Sequence, residues 1–356
     1  MLRLLVRAIF FWLVVMEFWT AWCGWKGLSW SGRTYMLWLT GSLATAIGPK
    51  NQVCWYAYII VLGIMFFPAV VLQIVLSSVR HLSLNPALQL RPGRYTDRII
   101  TRLNIPMQEG HLPALWVQPR CETKTALCVV HGSGCNKTFY AWRLVDLLIR
   151  RKVGVLLIDL DGHGENPRPQ RFPAITEDVA VAVAWLRERY QRVGVLGMSL
   201  GGCVAARAVA DGVQVDGLII LAAPPVLHFK RSDVWREGFA LVQPRLLELF
   251  RDSSVYHMVR AWDSPRIRAH IGTWDLINQL DLGTSLAQVT APLFLLYGGR
   301  DSIVKPTQAE HVRQRMPPQA TLTIIPGASH LTLMIMPITL DMVGKWIDTH
   351  LTIKTD

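Results

Sequence analysis

Residues Val195–Gly202 read Val-Leu-Gly-Met-Ser-Leu-Gly-Gly, an apolar run that ends on a serine between glycines. Glycine weakens strands and helices alike, so three of them around one hydroxyl need a local reason. The run before the serine is short and apolar, as a buried strand is, and a helical pattern follows it through Ala210. Gly197-Met198-Ser199-Leu200-Gly201 therefore fits G-x-S-x-G at a strand-to-helix junction. On such a turn the serine sits in a strained conformation with its hydroxyl exposed above the sheet, and its neighbours must be small because a side chain there would collide with the turn. The following helix turns its first N–H groups toward the same spot, where negative charge is stabilised.

Outward from this turn, short apolar strands alternate with helical patterns from Arg98 onward. "RIITRLNIPM" and "LPALWVQP" flank Gln108-Glu109-Gly110-His111, which reads as a hairpin. "ALCVV" runs into His131-Gly132-Ser133-Gly134, and a helix is expected over 137–151. "VGVLLIDL" ends in Asp161-Gly162-His163-Gly164, with a helix expected over 175–190. Beyond the serine turn come the strands "GLIILAAPP", "PLFLLYGGRD" and "TLTIIPG", with helices expected over 307–315 and 338–351. This alternation predicts an α/β fold with a mostly parallel sheet and helices on both faces. The connection from Pro225 to Pro292 is much longer than adjacent strands need, which predicts a functional insertion over about 226–282. Within it Trp235, Phe239, Val242, Leu246 and Phe250 recur at helical spacing, interrupted by Pro244, and Phe239 and Leu246 are the expected substrate-lining residues.

The chain has 356 residues, 51% of them hydrophobic, and the excess lies at the N-terminus, where seven of the 14 tryptophans precede position 56. Residues 4–23 are apolar apart from Arg7 and Glu17, and 53–76 apart from Pro68 and Gln73. Crossing a bilayer takes about 20 apolar residues. The expected organisation is a membrane-anchor region over 1–80 with two transmembrane helices near 8–25 and 53–76, a linker over 81–97, and a domain over 98–356. A signal peptide is the rival reading of the first run, but Thr20-Ala21-Trp22-Cys23 is a poor small-residue cleavage site. The stretch 35–47 is short for a span and reads as interfacial or re-entrant. Arg3 and Arg7 precede the first span, five arginines from Arg80 to Arg102 follow the second, and the loop between holds Lys26, Arg33 and Lys50. The bias of cytoplasmic loops toward Lys and Arg then puts both chain ends in the cytoplasm.

The net charge of +12 is spread over helices and the flanks of the apolar runs, with no basic stripe, so no nucleic-acid partner is expected. None of the six cysteines has zinc-ligand spacing with another, so neither a metal nor a disulfide framework is expected, and no cofactor.

A serine hydroxyl is a poor nucleophile until a base takes its proton. His330 follows one predicted strand end and Asp301 another, where a carboxylate would hold the imidazole's tautomer. Asp301 would also suit a helix N-cap. His131 and His163 read as loop-building residues and Cys135 as a spectator. With these residues in order, the chain resembles the α/β-hydrolase superfamily over roughly 98–351, and within it the monoacylglycerol-lipase and serine-aminopeptidase-like branch. His131-Gly132-Ser133-Gly134 resembles the HGxG loop. Asp159-Leu160-Asp161-Gly162-His163-Gly164 resembles the D-x-R-G-H-G turn, with Asp161 in place of the usual arginine. Tyr297–Asp301 and Gly327–His330 resemble the acid and histidine loops.

The resemblance implies an α/β-hydrolase fold with a lid insertion, Ser199, Asp301 and His330 as the catalytic set, and the backbone N–H groups of Ser133 and Leu200 as the oxyanion hole. The expectation is a membrane-anchored serine hydrolase that cleaves a carboxylic ester. Its partners would be membrane lipids and a small-molecule or lipid ester. Peptidase, amidase or thioesterase chemistry on the same residues stays open, as does a non-catalytic membrane scaffold; oligomeric state is unassigned.

Overall fold

The computed structural model describes residues 95–139, 141–240 and 267–353. The expected spans near 8–25 and 53–76, the stretch 35–47, and Val242, Leu246 and Phe250 lie outside the described residues. Among the described residues no helix is long and apolar enough to cross a membrane.

The strands are β1 (Arg98–Pro106), β2 (His111–Pro119), β3 (Thr125–Val130), β4 (Val153–Ile158), β5 (Arg192–Met198), β6 (Gly217–Leu221), β7 (Leu293–Gly298) and β8 (Thr321–Ile325). They form one sheet in the order β1-β2-β4-β3-β5-β6-β7-β8. The antiparallel β1–β2 hairpin turns where Met107 N–H donates to the Gly110 carbonyl. It joins β4 antiparallel, and every pairing from β4 to β8 is parallel. Burial follows from this placement. β3, β4 and β7 are buried at every residue, as parallel strands covered on both faces must be, whereas the edge strand β1 alternates.

The helices are α1 (Ala141–Arg150), α2 (Ile175–Arg187), α3 (Leu200–Ala210), α4 (Arg231–Ala240), α5 (Thr273–Leu280), α6 (Leu282–Ala287), α7 (Pro306–Arg313), α8 (His330–Leu333) and α9 (Pro337–His350). One face of the sheet packs on apolar residues of α2, α3, α5, α6 and α7, the other on α1, α8 and α9. At the lower end of the sheet the side chains of Trp346 and Leu351 lie directly over Gly217 and Gly194, where a Cβ on either glycine would collide with them. Thr125 Oγ1 also donates to the Leu351 carbonyl at 3.2 Å.

One expectation is corrected. The helix expected over 137–151 begins at Ala141, because Asn136 builds a turn instead: its Oδ1 accepts from Thr138 N–H at 3.0 Å and from Thr138 Oγ1 at 2.7 Å. Among the described side chains of α4 the buried ones are Asp233 and Glu237, an acidic pair one helical turn apart.

The strand order places β3 between β4 and β5, so successive connections leave β3 in opposite directions. Such a switch point opens a crevice beyond the carboxyl ends of the strands. Val130 pairs with Gly197 and Met198 with Leu221, so the loops after β3, β5 and β6 emerge at nearly one level.

Candidate active site

Ser199 stands at the end of β5 with φ 50° and ψ −119°. A residue with a side chain held there costs on the order of 1–3 kcal/mol, and the surroundings must enforce it. Ser199 N–H donates to the Leu221 carbonyl at 2.8 Å, while Gly202 and Cys203 N–H close back on the Ser199 carbonyl at 3.0 and 3.3 Å. A Cβ at Gly197 would run into the backbone of Gly201 and Gly202, and one at Gly201 into the carbonyls of Val130 and His131. The glycines of the opening motif are thus places where two backbones touch.

His330 is the first residue of α8. Ser329 caps that helix through a reciprocal pair with Thr332: Ser329 N–H donates to Thr332 Oγ1 at 2.8 Å and Thr332 N–H to Ser329 Oγ at 3.3 Å. His330 Nε2 lies 3.2 Å from Ser199 Oγ and Nδ1 lies 2.8 Å from Asp301 Oδ2. Asp301 Oδ1 accepts from the N–H groups of Ile303 and Val304 at 2.9 and 2.7 Å, which fixes the carboxylate and turns Oδ2 to the imidazole. Asp301 therefore caps a turn rather than a helix; α7 starts at Pro306 behind Lys305. Burial works against a charged His330, but the charge and hydrogen bond of Asp301, joined by the charge of Glu237, outweigh it and hold the imidazole pKa above its ordinary value. The arrangement orders a serine, a base and an acid so that a proton can leave Oγ through Nε2.

The 131–134 loop lies against this serine: a Cβ on Gly132 would stand 3.2 Å from Ser199 Cβ. Leu200, buried, opens α3. Ser133 is half-buried and its Oγ is 3.3 Å from Thr273 Oγ1 at the start of α5. Lys137 holds the loop from behind. Its backbone N–H donates to Asp159 Oδ1 at 2.7 Å, and its ammonium reaches both Asp159 and Glu165, the latter at 2.8 Å. Met198 is buried at the end of β5.

His131 and His163 build loops, with ring centroids 5.2 Å apart. Leu160 N–H donates to His131 Nε2 at 3.1 Å, so the ring proton sits on Nδ1 and donates to the Gly132 carbonyl at 2.8 Å. Burial, then the neighbouring His163 and Lys137, pushes the His131 pKa down to about 3, so the ring stays neutral. The buried thiols of Cys128, Cys135 and Cys203 are pushed up by burial, well away from reactive thiolates. Among the described residues no cluster of His, Cys, Asp or Glu could hold a metal ion.

A model of the serine aminopeptidase, S33 family matches residues 121–334, more than half the chain. The chain belongs to the S33 serine aminopeptidase family, within the α/β-hydrolase superfamily. This S33-family chain is 27% identical over 252 residues to the pimeloyl-[acyl-carrier protein] methyl ester esterase of Pectobacterium atrosepticum, covering 64% of the chain and 95% of that protein. Among solved structures, an esterase from Exiguobacterium antarcticum superposes with a TM-score of 0.54 at 15% identity, over 70% of the chain and 100% of its own. A thermophilic esterase from Thermogutta terrifontis gives 0.54 at 19%, over 71% and 99%. At such identities these two establish the fold.

Several residues of this S33-family site escape a reading by motif. Arg168 answers the aspartate at the family's arginine position: its guanidinium meets Asp161 at 2.7 Å and also Asp178, while Asp161 N–H donates to Asp178 Oδ2 at 2.7 Å. The aspartate at a position where the resembled turn has arginine was the local hint that this turn is held by other charges. Thr273 and Glu237 carry no local signal. Of the two expected lining residues, Phe239 lies in the last turn of α4, and Leu246 is outside the described residues.

Proposed function

We propose that this protein is a serine hydrolase that cleaves a carboxylic ester through an acyl-enzyme on Ser199. The observation that carries the reading is the chain of contacts from Ser199 Oγ to His330 Nε2 at 3.2 Å and from His330 Nδ1 to Asp301 Oδ2 at 2.8 Å. In the first half-reaction Oγ attacks the ester carbonyl carbon as Nε2 takes its proton. The backbone N–H groups of Ser133 and Leu200 receive the oxyanion, each worth about 3–4 kcal/mol in the transition state. The tetrahedral adduct collapses, the C–O bond breaks, and the imidazolium returns the proton to the leaving alcohol. Water then repeats the sequence on the acyl-enzyme and releases the acid.

An ester is favoured over an amide because the relative matched over 95% of its length is a methyl ester esterase. The family description names an aminopeptidase, so amide cleavage is the second reading, since the same three groups serve both. Two apolar runs near 8–25 and 53–76 support a membrane anchor ahead of the 98–356 domain, and with it a hydrophobic or lipid substrate arriving from the inner leaflet.

The test uses the full-length chain, a fluorophosphonate probe, esters of graded acyl length and matched peptide amides. The expected result is labelling of the parent, faster turnover of esters than of amides, and neither labelling nor turnover in Ser199→Ala. Undiminished ester turnover in that variant rejects the proposal.

A further inference from the structure

Glu237 is a carboxylate only 2% exposed, on α4 of the insertion. Burying a carboxylate is costly unless it is fully hydrogen-bonded. It accepts three bonds, two from the loop that carries Asp301 and one from the helix that His330 opens. Oε1 takes Ser302 N–H at 2.8 Å and Ser302 Oγ–H at 2.6 Å, on the residue next to Asp301. Oε2 takes Leu331 N–H at 3.1 Å, on the residue next to His330. Leu331 N–H belongs to the first turn of α8, whose opening donors have no partner inside the helix. One carboxylate on a third element thus spans the acid loop and the histidine helix.

We propose that Glu237 is a positioning residue that clasps the Asp301 loop and the His330 helix to α4, so that base and acid are registered only while α4 is docked. The inference rests on the reading of Ser199, His330 and Asp301 as the catalytic set. Glu237 acts on His330 through Leu331 and through its charge, which favours the imidazolium formed as Ser199 loses its proton. The other charged groups around this junction are Asp301 itself, Asp233 and Arg236 on α4, and Arg300 and Lys305 on the acid loop; these line one cavity of about 460 Å³. Among the described residues none of these cations pairs with Glu237, so its negative charge is balanced by hydrogen-bond donors.

Glutamine at this position keeps one acceptor and turns a donor toward the other N–H, so Glu237→Gln removes the charge and half the clasp. Hydrolysis of p-nitrophenyl butyrate by the full-length variant should show kcat lowered about 10- to 100-fold with KM changed by no more than about twofold. The acid limb of its pH–rate profile should move to lower pH, a shift that a merely structural residue would not produce. Glu237→Asp keeps the charge but cannot reach both donors: it should lower kcat while leaving the acid limb near the parent's. Parent-like kcat and acid limb in folded Glu237→Gln overturn the proposal. If that variant does not fold, parent-like kcat in both Glu237→Asp and Ser302→Ala overturns it. Ser199→Ala, measured alongside, separates the two claims: turnover retained there rejects the catalytic set itself, whereas turnover lost there with parent kinetics in Glu237→Gln rejects only the clasp.

Discussion

His330, opening α8, and His131, on the loop after β3, border the same crevice and are pushed in opposite directions, one by carboxylates, the other by burial beside a histidine and a lysine. The proposed base must be neutral to accept the Ser199 proton. Ester turnover should therefore fall as pH drops through a midpoint above the ordinary imidazole value of 6.5, read from the kcat/KM profile. A midpoint below that value would contradict the Asp301 contact and the influence of the Glu237 charge. Stability runs the other way for His131, whose folded-state pKa of about 3 lies below the unfolded value of 6.5. Below 6.5 the unfolded chain takes up a proton that the folded chain refuses, so this histidine costs about 1.4 kcal/mol per pH unit until pH nears 3. Urea unfolding of His131→Asn should show a flatter loss of stability between pH 6.5 and about 4 than the parent. His330, with a raised folded value, contributes most below pH 6.5 and loses that contribution as pH rises through its folded pKa, a separate window. At this scale much was legible. Ser199, Asp301 and His330 announce themselves because each sits in a short, chemically constrained loop. Glu237 and Thr273 do not, since they meet their partners 65 to 140 positions away, where no local pattern records the contact.

At the scale of elements, the junction of β5 and α3 tolerates no added bulk. Gly201→Ala puts a methyl group into the Val130 and His131 carbonyls, which belong to backbone that cannot swing aside. The variant should be recovered mostly insoluble, and a parent-like melting profile would show that α3 can shift where packing says it cannot. The turn after β4 depends on Arg168, 7% exposed between two fully buried carboxylates. Burial raises the pKa of both acids, and Asp161's charge adds to the shift of Asp178, so the guanidinium is what keeps them compatible. Arg168→Met should lower unfolding free energy by about 3–5 kcal/mol, because a buried charge left without its partner is strongly destabilising. Denaturant melts check it. The parallel strands were readable because β3, β4 and β7 are short, continuous, mostly apolar runs. The burial of Glu237 was not, since it looks like part of a solvated face until Ser302 and Leu331, which donate to it, are in place.

For the whole molecule, the arginine-rich segments on either side of the two apolar runs favour a cytoplasmic hydrolase domain. An alkaline-phosphatase fusion after Asp356 should be inactive and a cytoplasm-dependent reporter active. The reverse would mean that 35–47 crosses as well. The insertion follows β6, whose carboxyl end opens on the crevice, which favours it as the seat of substrate choice. Charged substitutions at Phe239 or Leu246 should change acyl-length preference more than fluorophosphonate labelling, and equal loss on every substrate would assign these positions to packing.

During synthesis β5 and β6 leave the ribosome well before Trp346 and Leu351, the side chains that cover Gly217 and Gly194. A nascent chain holds Ser199 early, yet has neither the base nor the cover for the lower end of its central strands. A message truncated between the codons of His330 and Trp346 would encode all three polar groups on a sheet with its end exposed. Such a product is prey for quality-control proteases rather than a partly active enzyme, so nonsense alleles this late should behave as complete losses.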